Sequence, residues 1–135
     1  MDAPLRGAWL RAGISRDDGP LRETGHVVWL QTGGFYADSR GFAGTTSYEG
    51  GRVTFHHDAG TPGHDVGTLR SEGTLMIETG TNLDGSTFME VWTPLPHVEG
   101  PEGSWTSGGA QTVRVGSHVV HVDAAGRGTH LLLPD

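Results

Sequence analysis

Glycine-centred turn signals divide this chain into short apolar segments, and that punctuation leaves room for little besides hairpin-connected strands. Glu49-Gly50-Gly51, Glu72-Gly73, Asp84-Gly85 and Ala125-Gly126 each separate two such segments. The chain holds 23 glycines in 135 residues, which supply the positive-φ positions that tight reversals need. Val27 to Leu30, Leu75 to Ile77, Phe88 to Trp92, Val119 to Val122 and Leu131 to Leu133 are strand-like runs. This clustering, with four tryptophans that need a core or a cavity wall, separates the chain from a disordered one of similar glycine content. No long stretch repeats its apolar residues at helical spacing. The predicted fold is all-β: an antiparallel up-and-down β-barrel of about eight to ten short strands, forming a single domain over 1–135.

Alternation within the strands predicts which side chains share a face. Leu5 to Ala12 reads as the first strand, with Leu5, Gly7 and Trp9 together. In His26 to Gln31, Val28 and Leu30 face one way while Val27, Trp29 and Gln31 face the other. Both faces carry bulk, so this strand is either covered on both sides or turns its second face to a ligand cavity. Hairpins are predicted around Gly50-Gly51 and Gly73, and a further turn at Asn82-Leu83-Asp84-Gly85. Thr93 to Gly109 contains three prolines and four glycines and reads as a long loop over a barrel mouth. Gln111 to Val115, Ser117 to Asp123 and His130 to Leu133 are expected to complete the same sheet.

Charge and composition remove several function classes. Nine basic residues against sixteen acidic ones give a net charge of −7 with no basic stripe, which disfavours nucleic acid and anionic membranes as partners. The absence of cysteine excludes disulfides, thiolate catalysis and Cys-ligated metals. Met1-Asp2-Ala3-Pro4 does not begin a leader peptide and no run approaches membrane-spanning length, so the expected location is cytoplasmic. No P-loop, GxGxxG or GxSxG context occurs, so nucleotide and serine-nucleophile chemistry lack support.

The densest group of titratable residues is His56, His57, Asp58, His64 and Asp65. Adjacent histidines on a strand point to opposite faces, so His56 and His57 cannot share one metal from regular backbone. His57 lies with Val53 and Phe55, which makes it the interior histidine if the apolar face points inward. A second group, His118, His121 and Asp123, is split in the same way. A metal site would have to join His57 or His64 to a C-terminal histidine, and no HxH or HExxH pattern is present. No metal and no cofactor is therefore expected.

Glu90 is the most informative carboxylate. It alternates with Phe88 and Trp92; an inward aromatic face would desolvate it and favour a general acid or base, whereas an inward Met89 and Val91 would leave it in solvent. Asp38 or Glu78, paired with Arg40 or Arg114, would orient a polar ligand head or staple the barrel.

Gly7-Ala8-Trp9 on the first strand, followed by a meander over nearly the whole chain, resembles the calycin group, the lipocalin and fatty-acid-binding type of barrel. The resemblance implies that Trp9 closes the barrel's base, under an arginine such as Arg114 or Arg127, and that the interior binds hydrophobic molecules, pigments or haem. A few related barrels act as cyclases or isomerases. The expected function is binding of a small, largely apolar organic molecule, with Trp29, Phe55, Phe88 and Trp92 as walls and Gln31, Asp38, Arg40 and Glu78 as polar contacts. The alternative is a cofactor-independent isomerase, cyclase or lyase using Glu90 or His57. A third class is a non-catalytic homodimer joined along sheet faces.

Overall fold

A computed structural model describes residues 6–22, 25–60, 63–82 and 84–134. Leu5, Pro62, Leu83 and the Met1-Pro4 segment lie outside the described residues. Eight strands form a closed antiparallel barrel in chain order: β1 (Arg6–Arg16), β2 (Val28–Thr32), β3 (Phe35–Asp38), β4 (Phe42–Glu49), β5 (Arg52–Gly60), β6 (Gly63–Glu72), β7 (Leu75–Thr81) and β8 (Thr87–Pro94), with β8 returning to pair with β1. The turns act as predicted. Gly50 and Gly51 take φ of 58° and 82°, which is the left-handed pair that a two-residue hairpin between β4 and β5 requires.

Four further strands do not complete this sheet. β9 (Glu102–Ser107), β10 (Ala110–Val115), β11 (His118–Val122) and β12 (Gly128–Leu132) form a separate antiparallel sheet in the order β12-β11-β10-β9. The segment expected to be a loop over the mouth thus contains β9. Eight strands already close the barrel, so the remaining apolar alternation has no free edge to join there and instead covers an outer wall. Val113, Val115, Val120 and Val122 pack against the outward side chains Ala8, Val28, Leu30, Ala37, Ala43 and Ala59. Small barrel residues opposite valines let the two layers approach closely. Gln111 joins the layers by donating to the Gly44 carbonyl at 3.1 Å, and Thr32 donates to Glu102 at 2.6 Å.

β2 is therefore covered on both sides and also faces the barrel interior, so both readings of its bulk apply. Its inward Trp29, with Val27 just before the strand, joins Trp9, Tyr36, Val53, Phe55, Leu69 and Trp92 in the inner core. The ring partner of Trp9 is Trp29, with centroids 4.4 Å apart. The expected arginine cover does not form: Arg114 lies on β10 and donates to the Gly116 carbonyl, and Arg127 precedes β12.

Two register shifts set the interior. Between Arg11 and Gly13, β1 carries one residue more than β8, so inward alternation passes from Trp9 and Arg11 to Ile14 and Arg16. A second shift between Ala43 and Gly44 lets His57 face inward while Ala59 faces the second sheet. At that bulge a Cβ on Gly44 would fall 1.9 Å from the His56 carbonyl oxygen, so the backbone approach requires glycine.

Candidate functional site

The inner face of the barrel encloses a cavity of about 220 Å³ above the Trp9–Trp29 stack. Trp29 is the hub of its aromatic wall, meeting Phe55 and Trp92 edge-on with centroids 5.5 Å away in each case. Gly67 and Gly80 leave room for the side chains facing them. A Cβ on Gly80 would strike the Phe88 ring at 2.6 Å, and one on Gly67 would crowd Glu78.

Nine of the predicted site residues line this cavity together: Glu90, His57, Trp29, Asp38, Arg40, Phe55, Glu78, Phe88 and Trp92. Gln31 does not. It faces inward at the Gly7 level, beneath the tryptophan stack, where its carbonyl accepts from Trp29 Nε1 and the Thr46 hydroxyl and its amide donates to the Gly33 carbonyl. Those bonds engage both ends of a fully buried amide, a structural role. Ile14, Arg16, Tyr36, Phe42, Asp65 and Asn82 complete the lining. Arg16 and Ile14 were hidden from strict alternation by the β1 bulge. Arg11, beneath the cavity, shares the face of Trp9 two residues away, a signal present in the sequence.

A charged network crosses the cavity floor. Arg40 grips Asp38 with two nitrogens, at 2.7 and 3.0 Å, and donates to Glu90 at 3.2 Å. Arg11 donates to the same Glu90 oxygen at 2.8 Å. Arg114, the other partner considered for Asp38 or Glu78, takes no part in this network. Glu90 thus faces inward between Phe88 and Trp92, and two guanidinium groups meet it there.

Glu78 stands directly across from Glu90 on β7. Burial, then the neighbouring Glu90 charge, pushes its carboxyl up to about 8, partly offset by Arg40 and Trp92. Trp92 Nε1 lies beside Glu78 but closes no hydrogen bond of ordinary geometry with it. The Tyr36 hydroxyl also has no partner among the described residues, and burial followed by Asp38 raises its proton affinity further. A sealed donor without an acceptor, as at Tyr36 Oη, costs about 1–3 kcal/mol.

At the other side of the cavity, His57 Nε2 lies 2.9 Å from Asp65 Oδ2, and its ring packs on Phe42 at 5.0 Å. The carboxylate can only accept, so Nε2 carries a proton. His56 and His64 pair across strands on the outer surface, separated from His57 by the barrel wall.

His118 and His121 lie on opposite faces of β11, the split that their spacing predicts. His118 is buried and bonds to His130 at 3.0 Å and to the Pro96 carbonyl at 2.7 Å, whereas His121 is exposed and bonds to Thr112. His26 extends the row by meeting His130 at 3.3 Å. This row was not legible in the sequence, because it joins a loop before β2 to strands of the second sheet. Among the described residues, no group of three histidine or acidic side chains has a metal-holding arrangement.

No known family model, curated protein or solved structure matches the chain.

Proposed function

We propose that the barrel binds a small, largely apolar organic molecule in its interior. The observation that carries this reading is the cavity of about 220 Å³, walled by Trp29, Phe55, Phe88 and Trp92 and lined elsewhere by charged and polar side chains such as Arg40, His57 and Glu90. The aromatic walls supply apolar contact for capture and the polar groups fix orientation. The closed up-and-down barrel is also the architecture of the calycin group, which adds a likeness of form. Native mass spectrometry of gently purified protein tests the reading: a mass lost on denaturation is expected, or a 1:1 adduct when small aromatics are added. A bare polypeptide under both conditions overturns it.

A second reading, cofactor-independent acid/base catalysis, is favoured by the Glu78–Glu90 pair. Two adjacent carboxyls whose environments differ are a recurring way to keep an acid and a base in one site at neutral pH. In an isomerisation, Glu90 would take a proton from a carbon next to a carbonyl while Glu78 gives its proton to another carbon of the conjugated system. The two carboxyls exchange states, and solvent resets them. Glu78→Gln would then abolish turnover and spare binding.

A further inference from the structure

Resting on the binding reading, we propose that the ligand is an aromatic monocarboxylate of one or two rings, whose apolar body sits against the tryptophan wall and whose carboxylate is held at the cavity mouth by the Arg16 guanidinium.

The bulge in β1 places that guanidinium. Past the register shift between Arg11 and Gly13, the inward positions fall on Ile14 and Arg16, so the last residue of β1 turns into the barrel opposite Phe88. Arg16 lines the cavity and is still exposed, which sets it at the mouth, whereas Arg11 is buried beneath the floor. A guanidinium in that position can exchange water for a ligand oxygen without leaving any protein carboxylate bare.

Pairing sets the charge of the ligand. The other two guanidiniums are committed, Arg40 to Asp38 and Glu90 and Arg11 to Glu90. His57 Nε2 donates to Asp65, and Glu78 keeps its proton at neutral pH. Among the described residues Arg16 makes no ion pair and no side-chain hydrogen bond. The adjacent Asp17 carboxylate instead accepts from the Thr87 amide at 2.9 Å. One unmatched cation suits one carboxylate, in a planar geometry that arginine can meet with two parallel bonds. A phosphate monoester would bring nearly twice that charge past Asp65. The chain's net charge of −7 repels anions at long range, but that field decays over about 8 Å at physiological salt, so the guanidinium in contact decides.

Size sets the body. An apolar cavity of about 150 Å³ accepts benzene, so about 220 Å³ suits one ring or two fused rings. The edge-on rings around Trp29 favour a flat, polarisable occupant.

The test is equilibrium dialysis of the full chain at neutral pH with three probes that share their rings and differ in their heads: naphthalene carboxylate, naphthalene carboxamide and naphthyl methylammonium. The carboxylate is expected to bind about fivefold more tightly than the amide, the worth of an ion pair at an exposed guanidinium, and the cation most weakly. Arg16→Gln should bring the carboxylate down to the amide's affinity while leaving the amide unchanged, a differential that a general loss of packing would not produce. Arg16→Lys should restore part of the preference, and added salt should weaken the carboxylate alone. An amide or cation that matches the carboxylate overturns the proposal and leaves the binding reading standing. A carboxylate preference that survives Arg16→Gln, or a variant that weakens all three probes equally, removes Arg16 from the site and overturns it too. If no probe binds, the binding reading itself fails, and the ligand class with it.

Discussion

Glu78 and Glu90 are direct cross-strand partners inside the barrel, yet Arg11 and Arg40 each donate a hydrogen bond to Glu90. Two buried carboxylates side by side repel one another, and the arrangement resolves this by giving one the cations and the other a proton. The asymmetry arises from register. The β1 bulge sets Arg11 opposite Trp92 and Ile14 opposite Glu90, so arginine reaches the β8 carboxylate and leaves the β7 carboxyl against Gly67 and Leu69.

That division predicts an inverse pH dependence of stability. Glu78 holds its proton to about pH 8 in the folded protein against an ordinary value of 4.5. Between those values the folded state binds a proton that the unfolded chain has released, so stability falls as pH rises and levels off above the folded value. Glu78→Gln keeps the neutral shape without the titration. Thermal unfolding at pH 5, 7 and 9 should show the variant gaining on the parent with each step, by a few degrees at pH 9. Parallel melting curves would remove the proton from Glu78.

Removing one arginine from the floor leaves a carboxylate buried with too little compensation. Arg11→Met is expected to destabilise the fold by about 3–5 kcal/mol, because Glu90 is 5% exposed and loses its 2.8 Å partner. The double change Arg11→Met with Glu90→Gln should recover much of that loss, since no ion then remains to be compensated at this pair. Urea denaturation of the four proteins measures the coupling. A double variant no better than the single would mean that Arg11 acts by packing alone.

Gly44 tests whether the β4–β5 bulge is obligatory. An alanine there would place Cβ at 1.9 Å from backbone oxygen of His56, a clash that no side-chain rotation relieves. Gly44→Ala should cost about 3 kcal/mol or more, whereas Gly73→Ala, at a turn with open space, should cost about 1 kcal/mol through its φ of 62°. Comparable losses at the two positions would show that the bulge relaxes.

The barrel was legible because its evidence is local. Gly50-Gly51 and Gly73 mark reversals, and Phe88-Glu90-Trp92 or Val53-Phe55-His57 share a face by alternation alone. Nine of the ten chosen site residues accordingly meet in one cavity. What failed to show is what depends on register and closure. The bulge after Arg11 moves Ile14 and Arg16 to the inside against simple alternation, and nothing in Gly103 to Val122 says that its strands pair with one another instead of closing the barrel. Gln31 falls outside the cavity for a related reason: it shares the face of Trp29, but the Trp9–Trp29 stack lies between it and the cavity.

The row His118–His130–His26 carries the last prediction. Pro96 carbonyl can only accept, so it fixes the proton of His118 on Nε2. Neutral His118 then accepts at Nδ1 from His130 Nε2, and His130 accepts at Nδ1 from His26 Nε2. One carbonyl sets three tautomers. Protonating His130 turns both its nitrogens into donors and forces His26 to surrender its own, and burial, then the neighbouring His118 and His26, lowers the His130 pKa below 6.5. A lowered base contributes stability that is present above its unfolded value and lost as pH falls through the folded one. Stability should therefore decline as pH drops below about 6.5, opposite in sign to the Glu78 effect and separable from it by variant. His130→Gln should flatten this acid limb while leaving the alkaline one intact. Hydrogen exchange at pH 5 and 7 locates the effect: the amides of β12, the edge strand that the row ties to the loop before β2, should lose protection at pH 5 before those of the barrel. Uniform loss across both sheets would assign the acid limb to global unfolding instead.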